Sequence, residues 1–311
     1  MEAPFLIPQS MTKLEPPILL NDRLMILSRI PIAIRYILLS ALAFAMMSAC
    51  VKTVASYGIP VLEIIAARSL VSLLLSFLSI KRKHISVWGQ NYLLLAARGT
   101  VGTLALFCVY YSITTLPLAD ATVLQYTYPA FTAILALLFL GESVKRSTLI
   151  CIALSFIGLV VMVRPAASGV ILGLPPLSLM AALTGAFCSA VAYVIVRHLS
   201  QTEDSSVIIF YFPLVALPVS LILLGHNFVF PGFNQLLFLF LVGVFAQVGQ
   251  IGLTKAMALE KAGRVTSYSY VQVVFSAILG IVFFAEVPTV WTLIGGTLII
   301  SGALMNALGR S

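Results

Sequence analysis

The stretch from Thr122 to Gly158 occurs twice. Moved forward by 144 residues without a gap, it lies on Thr266–Gly302, and 13 of the 37 positions are identical. Shared Leu and Ile count for little between apolar segments. The pairs Tyr126 with Tyr270, Glu142 with Glu286 and Gly158 with Gly302, all in one register, count for more. A repeat of this period means two copies of one half-protein. In a membrane, such a pair points to a transporter with its site between the halves.

Composition places the chain in a membrane. Of 311 residues, 61% are hydrophobic and 9% charged, against roughly 25% charged in a soluble domain. Ten continuous apolar segments can be marked: Tyr36–Ser56, Pro60–Ile80, Tyr92–Thr114, Leu118–Leu140, Ser147–Val163, Leu177–Arg197, Val207–Gly225, Gln235–Leu259, Val265–Phe284 and Thr289–Ala307. Most are about 20 residues long, the length of a membrane-spanning helix, and lack the short alternation of a transmembrane β-barrel. The expected fold is an all-α integral membrane protein of ten transmembrane helices. Residues 1–34 form an N-terminal tail, 35–163 the first repeat, 164–176 a linker rich in Gly and Pro, and 177–307 the second repeat.

Orientation follows from the basic residues in the short loops. With the N-terminus cytoplasmic, that side holds Lys13, Arg23, Arg29, Arg35, Lys81, Arg82, Lys83, Lys145, Arg146, Arg197, Lys261, Arg264 and Arg310, and the other holds Arg164. Both termini are therefore expected inside. Because each half has an odd number of spans, the two repeats are expected to be inverted, the arrangement used for alternating access.

Several function classes drop out. The net charge of +8 is spread between hydrophobic runs and forms no aromatic-interleaved patch, so no nucleic acid is expected. Cys50, Cys108, Cys151 and Cys188 lie inside apolar runs without CxxC spacing, and read as small core residues. His84, His198 and His226 are scattered, so neither a metal nor another cofactor is expected. No nucleotide-binding loop, HExxH or catalytic carboxylate pair is present; the chain reads as no enzyme, and any transport as passive or gradient-driven.

Local motifs add a resemblance. They are Ala66-Ala67-Arg68, Arg98-Gly99-x-x-Gly102, Leu118-Ala119-Asp120-Ala121-Thr122, Tyr128-Pro129-Ala130-Phe131 and Phe139-Leu140-Gly141-Glu142. In the second half they are Tyr268-Ser269-Tyr270-Val271-Gln272, Phe284-Ala285-Glu286-Val287-Pro288 and Ile294-Gly295-Gly296. With these the chain resembles the drug/metabolite transporter superfamily, in its ten-helix form built of two EamA domains, over about Tyr36 to Ala307. The Tyr268–Gln272 run is most similar to the branch holding riboflavin and metallophore carriers. The resemblance implies a secondary transporter of a small organic metabolite in the bacterial cytoplasmic (inner) membrane, working by alternating access through a cavity between the repeats. Two other classes stand against it. A membrane enzyme needs acids or histidines clustered at one interface; a non-transporting assembly or receptor subunit predicts a collapsed apolar centre. One departure is that Val273 stands where the first half has Pro129, so a proline-induced irregularity is expected in the first half only.

Charge inside a span needs a cavity or a partner. Arg68 lies two turns into the second segment and is read either as meeting an anionic group of the solute or as part of a structural ion pair. In the second case Glu63 pairs with Lys52 across the short turn, or with Arg68 one helical turn on. Arg98, nearer the cytoplasmic end, is expected to snorkel, with Gly99 and Gly102 as packing residues. Polar stripes are the remaining signal. Gln247 and Gln250 share a face in the eighth segment with Thr254, and Tyr110 falls opposite Thr254 in the repeat. Gln125 and Tyr126 line the fourth segment, Tyr270 and Gln272 the ninth, and Tyr193 closes the ring from the sixth. Amides and phenols here either bond helix to helix or form a cavity wall for an organic solute. That solute is expected to be anionic or zwitterionic, with a coupling ion as a further partner beside the lipid bilayer. Glu142 and Glu286 are read as stabilising helix N-termini, and Asp120 as a cap or a residue of the entrance.

Overall fold

The computed structural model describes residues 31–115, 124–163, 176–284 and 290–308. Expectations for Asp120, Glu286, residues 1–30 of the tail and 164–175 of the linker fall outside them. The helices are α1 (Ile32–Ser56), α2 (Val61–Arg82), α3 (Tyr92–Thr115), α4 (Tyr128–Leu140), α5 (Arg146–Val163), α6 (Pro176–Leu199), α7 (Ser205–Leu224), α8 (Phe233–Leu259), α9 (Ala262–Tyr268), α10 (Val271–Phe284) and α11 (Val290–Leu308). Among the described residues seven stretches, counting Ala262–Phe284 as one, are long and apolar enough to cross a membrane, and three shorter apolar helices accompany them. The described residues contain no strand. Residues 32–34, expected in the tail, belong to α1.

Helix-to-helix packing obeys an exchange between the halves. Helix α1 packs on α8 as α3 packs on α6; α2 packs on α8 as α3 packs on α7. Helix α1 packs on α10 as α6 packs on α4, and the pairs α2 with α7 and α5 with α11 each map onto themselves under the same exchange. Helices α1 and α8 run antiparallel: Ser40 in α1 donates to the Gly249 carbonyl of α8, while Cys50 and Val54 further along α1 pack with Leu239 and Val242.

The pair α5–α11 shows the register most directly. A Cβ on Gly158 would lie 2.6 Å from the Gly295 carbonyl oxygen and near Leu298 and Ile299. A Cβ on Gly302 would lie 3.2 Å from the Cys151 carbonyl oxygen and near Leu154 and Ser155. Each neighbour in the first set is the 144-residue counterpart of one in the second. Both glycines are therefore held by close backbone approach, the small-residue packing that lets helices associate where water supplies no driving force.

The two halves also break alike. Tyr126–Thr127 is a turn between a short helical piece at Leu124–Gln125 and α4, and Ser269–Tyr270 is a turn between α9 and α10. This corrects the expectation of an irregularity in the first half only. A proline ring is not the cause in the second half, where Val273 continues α10. An interrupted backbone in a spanning segment needs other partners for its freed groups. Here the Tyr126 carbonyl accepts the Tyr270 hydroxyl at 2.9 Å, and Thr127 Oγ1 donates to the Leu124 carbonyl at 2.6 Å.

Candidate functional site

Helices α2, α3, α7 and α8 bring two guanidiniums together in the interior. Arg68 is 6% exposed and Arg98 3% exposed. Both lie over the ring of Phe212 in α7, with guanidinium carbon to ring centroid distances of 5.6 Å and 5.1 Å, within cation–π range. Arg98 Nη2 donates to Gln250 Oε1 of α8 across a long 3.5 Å, and its Nε and Nη1 have no partner. Gly102, one turn along α3, leaves room for this side chain, since a Cβ there would overlap Arg98 Nη1. Close by, Gln247 of α8 donates to Ser76 of α2 at 2.8 Å, leaving its own oxygen unpartnered.

No carboxylate among the described residues pairs with either arginine. Among the described residues the ion pairs are Lys83–Asp204, Arg197–Glu142 and Arg264–Glu260. Glu63 is buried, but its Oε2 accepts the Val229 backbone N–H at 3.0 Å, and it pairs with neither Lys52 nor Arg68. Lys52 instead holds its ammonium 4.5 Å from the Phe284 ring centroid. The ion-pair reading of Arg68 is thus corrected. Arg98 does not snorkel either: α7 and α8 cover the face on which it lies. The signal for it in the sequence was the Arg98-x-x-x-Gly102 spacing. A second missed signal is the buried stripe Ser69, Ser72 and Ser76, which gives α2 a polar face toward the same region.

A tyrosine group forms the second assembly. Tyr126 and Tyr270 face each other with ring centroids 5.8 Å apart, Tyr128 lies 5.9 Å from Tyr126, and Tyr193 of α6 meets Tyr128 edge-on at 5.3 Å. The rings rest on Leu159 and Ile299. Tyr193 also lies within electrostatic reach of Arg98 and Arg68, so α6 connects the phenols to the guanidiniums. Gln125, Gln272 and Tyr110 are half-buried and enter neither assembly through a hydrogen bond or ring contact.

A third group closes the end that carries the basic loops. Glu142 does not cap the helix that follows it. Its Oε1 accepts from Arg197 Nε of α6 at 2.7 Å, and its Oε2 accepts from the Ala262 N–H at the start of α9 at 2.8 Å. The carboxylate therefore joins two elements of the other half, and the helix N-terminus it stabilises is that of α9. Lys261 reaches back from the same turn to the Ser143 hydroxyl at 2.8 Å. A cavity of about 150 Å³ lies beside this latch, lined by Glu142, Lys145, Thr148, Glu260, Lys261 and Arg264 among others.

Comparison with known proteins agrees with this architecture. The model of the EamA-like transporter family matches residues 31–164 and again 176–308. The chain is 32% identical over 288 residues to the pseudopaline exporter CntI of Pseudomonas aeruginosa PAO1, covering 92% of this chain and 99% of that one. It is 34% identical to mouse solute carrier family 35 member G1, over 85% of this chain and 74% of that one. A solved crystal structure of 17% sequence identity superposes with a TM-score of 0.78, over 88% of this chain and 95% of the other. At that identity it speaks for the fold alone.

Proposed function

The chain belongs to the EamA-like transporter family as a multi-pass membrane protein, and on that premise we propose that it is a secondary transporter of a small organic metabolite, working by alternating access. In this reading ten spans form two inverted five-helix repeats with both termini cytoplasmic, in the bacterial cytoplasmic membrane. The observation that carries it is the exchange packing. Spans of one half pair with those of the other in an arrangement that exchanging the halves reproduces, and both halves break at equivalent tyrosines facing each other. Inverted repeats with discontinuous helices at their interface suit rocking of one half against the other around a fixed site.

The site in this reading is the space bounded by Arg68, Gln247, Gln250, Tyr126, Tyr193 and Tyr270, with Gln125, Gln272 and Tyr110 lining its approach. Contact between the Tyr126 and Tyr270 rings and the Glu142–Arg197 latch describe a conformer closed on the basic side. Opening on that side separates Glu142 from Arg197 and Ala262. Similarity to a pseudopaline exporter supports outward movement of the solute.

Proteoliposome counterflow tests the reading. Purified protein is reconstituted and screened with radiolabelled amino acids, carboxylates, flavins and nucleosides. One of them is expected to exchange across the bilayer, and Arg68→Ala and Gln250→Ala are expected to slow it. Unchanged exchange in both variants removes the assigned site. Reporter fusions after residues 90 and 227 test the topology, with cytoplasmic signal expected from the first and external signal from the second.

A further inference from the structure

Two positive charges sit in spanning helices with no carboxylate among the described residues paired to them. Guanidinium groups stay protonated in proteins, and a charge within a span normally faces a partner or a cavity. Among the described residues neither Arg68 nor Arg98 has an anionic partner. The ion pairs of the described residues lie in other places, and Glu63 is committed to the Val229 N–H. Arg98 keeps two buried, unpartnered nitrogens, and its one hydrogen bond, to Gln250, is long. Phe212, shared by both groups, holds the two cations near each other although like charges repel. An arrangement that accepts both the desolvation and the repulsion is suited to a ligand that brings compensating charge.

We propose that Arg68 and Arg98 form a two-guanidinium receptor for a short-chain di- or tricarboxylate portion of the transported solute. This deepens the reading above and rests on it for the word transported. The geometry explains the class. Arginine recognises a carboxylate through paired N–H donors, and two such groups beside one ring call for two carboxylates on one compact backbone. The Phe212 ring that both groups share supplies apolar contact for that backbone. The Gln250 amide, weakly held by Arg98, and the unpartnered Gln247 oxygen serve the solute's remaining polar groups, the few placed polar contacts typical of a binding cavity. A monocarboxylate leaves one guanidinium uncompensated, and a cation meets repulsion from both.

The test is a binding measurement on the full-length purified protein in detergent, made separately from transport. Succinate and citrate are titrated calorimetrically at constant ionic strength, with acetate, inorganic phosphate and spermidine as comparisons. Wild type is expected to bind succinate or citrate saturably and more tightly than acetate or phosphate, with no binding of spermidine. Arg98→Gln and Arg68→Gln are each expected to weaken binding by roughly 30-fold or more, the loss seen when one partner of a buried charged contact is removed. Arg98→Lys keeps the charge without the planar donor set, and is expected to fall between wild type and Arg98→Gln; it decides the matter where the glutamine variants do not fold. The proposal is overturned by equal affinities for succinate and acetate, by binding of phosphate alone, by no binding of either dicarboxylate or tricarboxylate, or by unaltered affinity in Arg98→Lys together with any folded glutamine variant. Binding as expected without counterflow of the same compound leaves the receptor standing and removes the transport reading. Counterflow of another solute that ignores Arg98→Lys does the reverse.

Discussion

The Tyr270 hydroxyl donates to the Tyr126 carbonyl at 2.9 Å, and the two residues are each other's counterparts 144 positions apart. The bond joins equivalent breaks in the two halves and runs in one direction only, so the exchange symmetry is broken at its centre. Removing the donor leaves a buried carbonyl at a helix break. Tyr270→Phe keeps the ring contact and is expected to lower stability by about 1–3 kcal/mol, read as a fall in the thermal unfolding midpoint in detergent. An unchanged midpoint means the break is held by packing alone.

The glycine pair of α5 and α11 makes a graded prediction. A Cβ at residue 158 meets a backbone oxygen at 2.6 Å, whereas one at residue 302 meets its backbone oxygen at 3.2 Å. Gly158→Ala is therefore expected to destabilise by about 1–3 kcal/mol, the range for overpacking, and Gly302→Ala by clearly less. Equal midpoints for the two variants contradict the register drawn for this pair.

The Glu142 latch predicts a change in accessibility. Glu142→Gln keeps an oxygen for the Ala262 N–H but removes the charge that faces Arg197. A cysteine placed at Ser143 in a background without native cysteines is expected to react faster with a membrane-impermeant maleimide when Glu142→Gln is added, because the basic end opens more often. Slower or equal labelling shows that the latch does not hold this end closed.

A pH dependence follows from the surface contact between α2 and α7. Burial raises the Asp204 carboxyl, but bonds from Lys83, from the Ser206 N–H and from the Ser206 hydroxyl outweigh it and hold the group below its usual value. Both Lys83 Nζ–Asp204 distances are short, 2.8 and 2.7 Å. A carboxylate depressed in the folded state contributes stability above its unfolded pKa of about 3.9, lost as pH falls through the lower folded value. Wild type is expected to lose more stability than Asp204→Asn between pH 5 and pH 3. Parallel pH profiles by thermal unfolding are the contrary result.

Much of this arrangement was legible in the residues. Eight of the ten apolar runs agree with the helical segments to within a few residues. The run from Val265 is broken at Ser269–Tyr270, and the run from Leu118 begins outside the described residues, its helix α4 starting at Tyr128. The 144-residue register of Tyr126 and Tyr270 survives as a hydrogen bond. What remained hidden depends on contacts between distant segments. Counting turns from the end of α3 placed Arg98 near the surface; that count has no knowledge of α7 and α8 lying across it. Glu142 was assigned to the helix next in sequence because the macrodipole argument is local, yet its partners come from α6 and α9. The turn at Ser269–Tyr270 carries no proline, and its tyrosine donates its bond to the break of the opposite half.

The contact of Gly302 with Cys151 makes the surface of one half complementary to itself. Gly158 is the counterpart of Gly302, so a free-standing first half would offer a second copy of itself the surfaces this chain already joins: a glycine at 158 and a carbonyl at 151. Two such copies inserted in opposite directions would meet by the same antiparallel contact. The α5–α11 interface thus sets one surface against its own counterpart, the self-complementary contact of a two-fold dimer carried within a single chain.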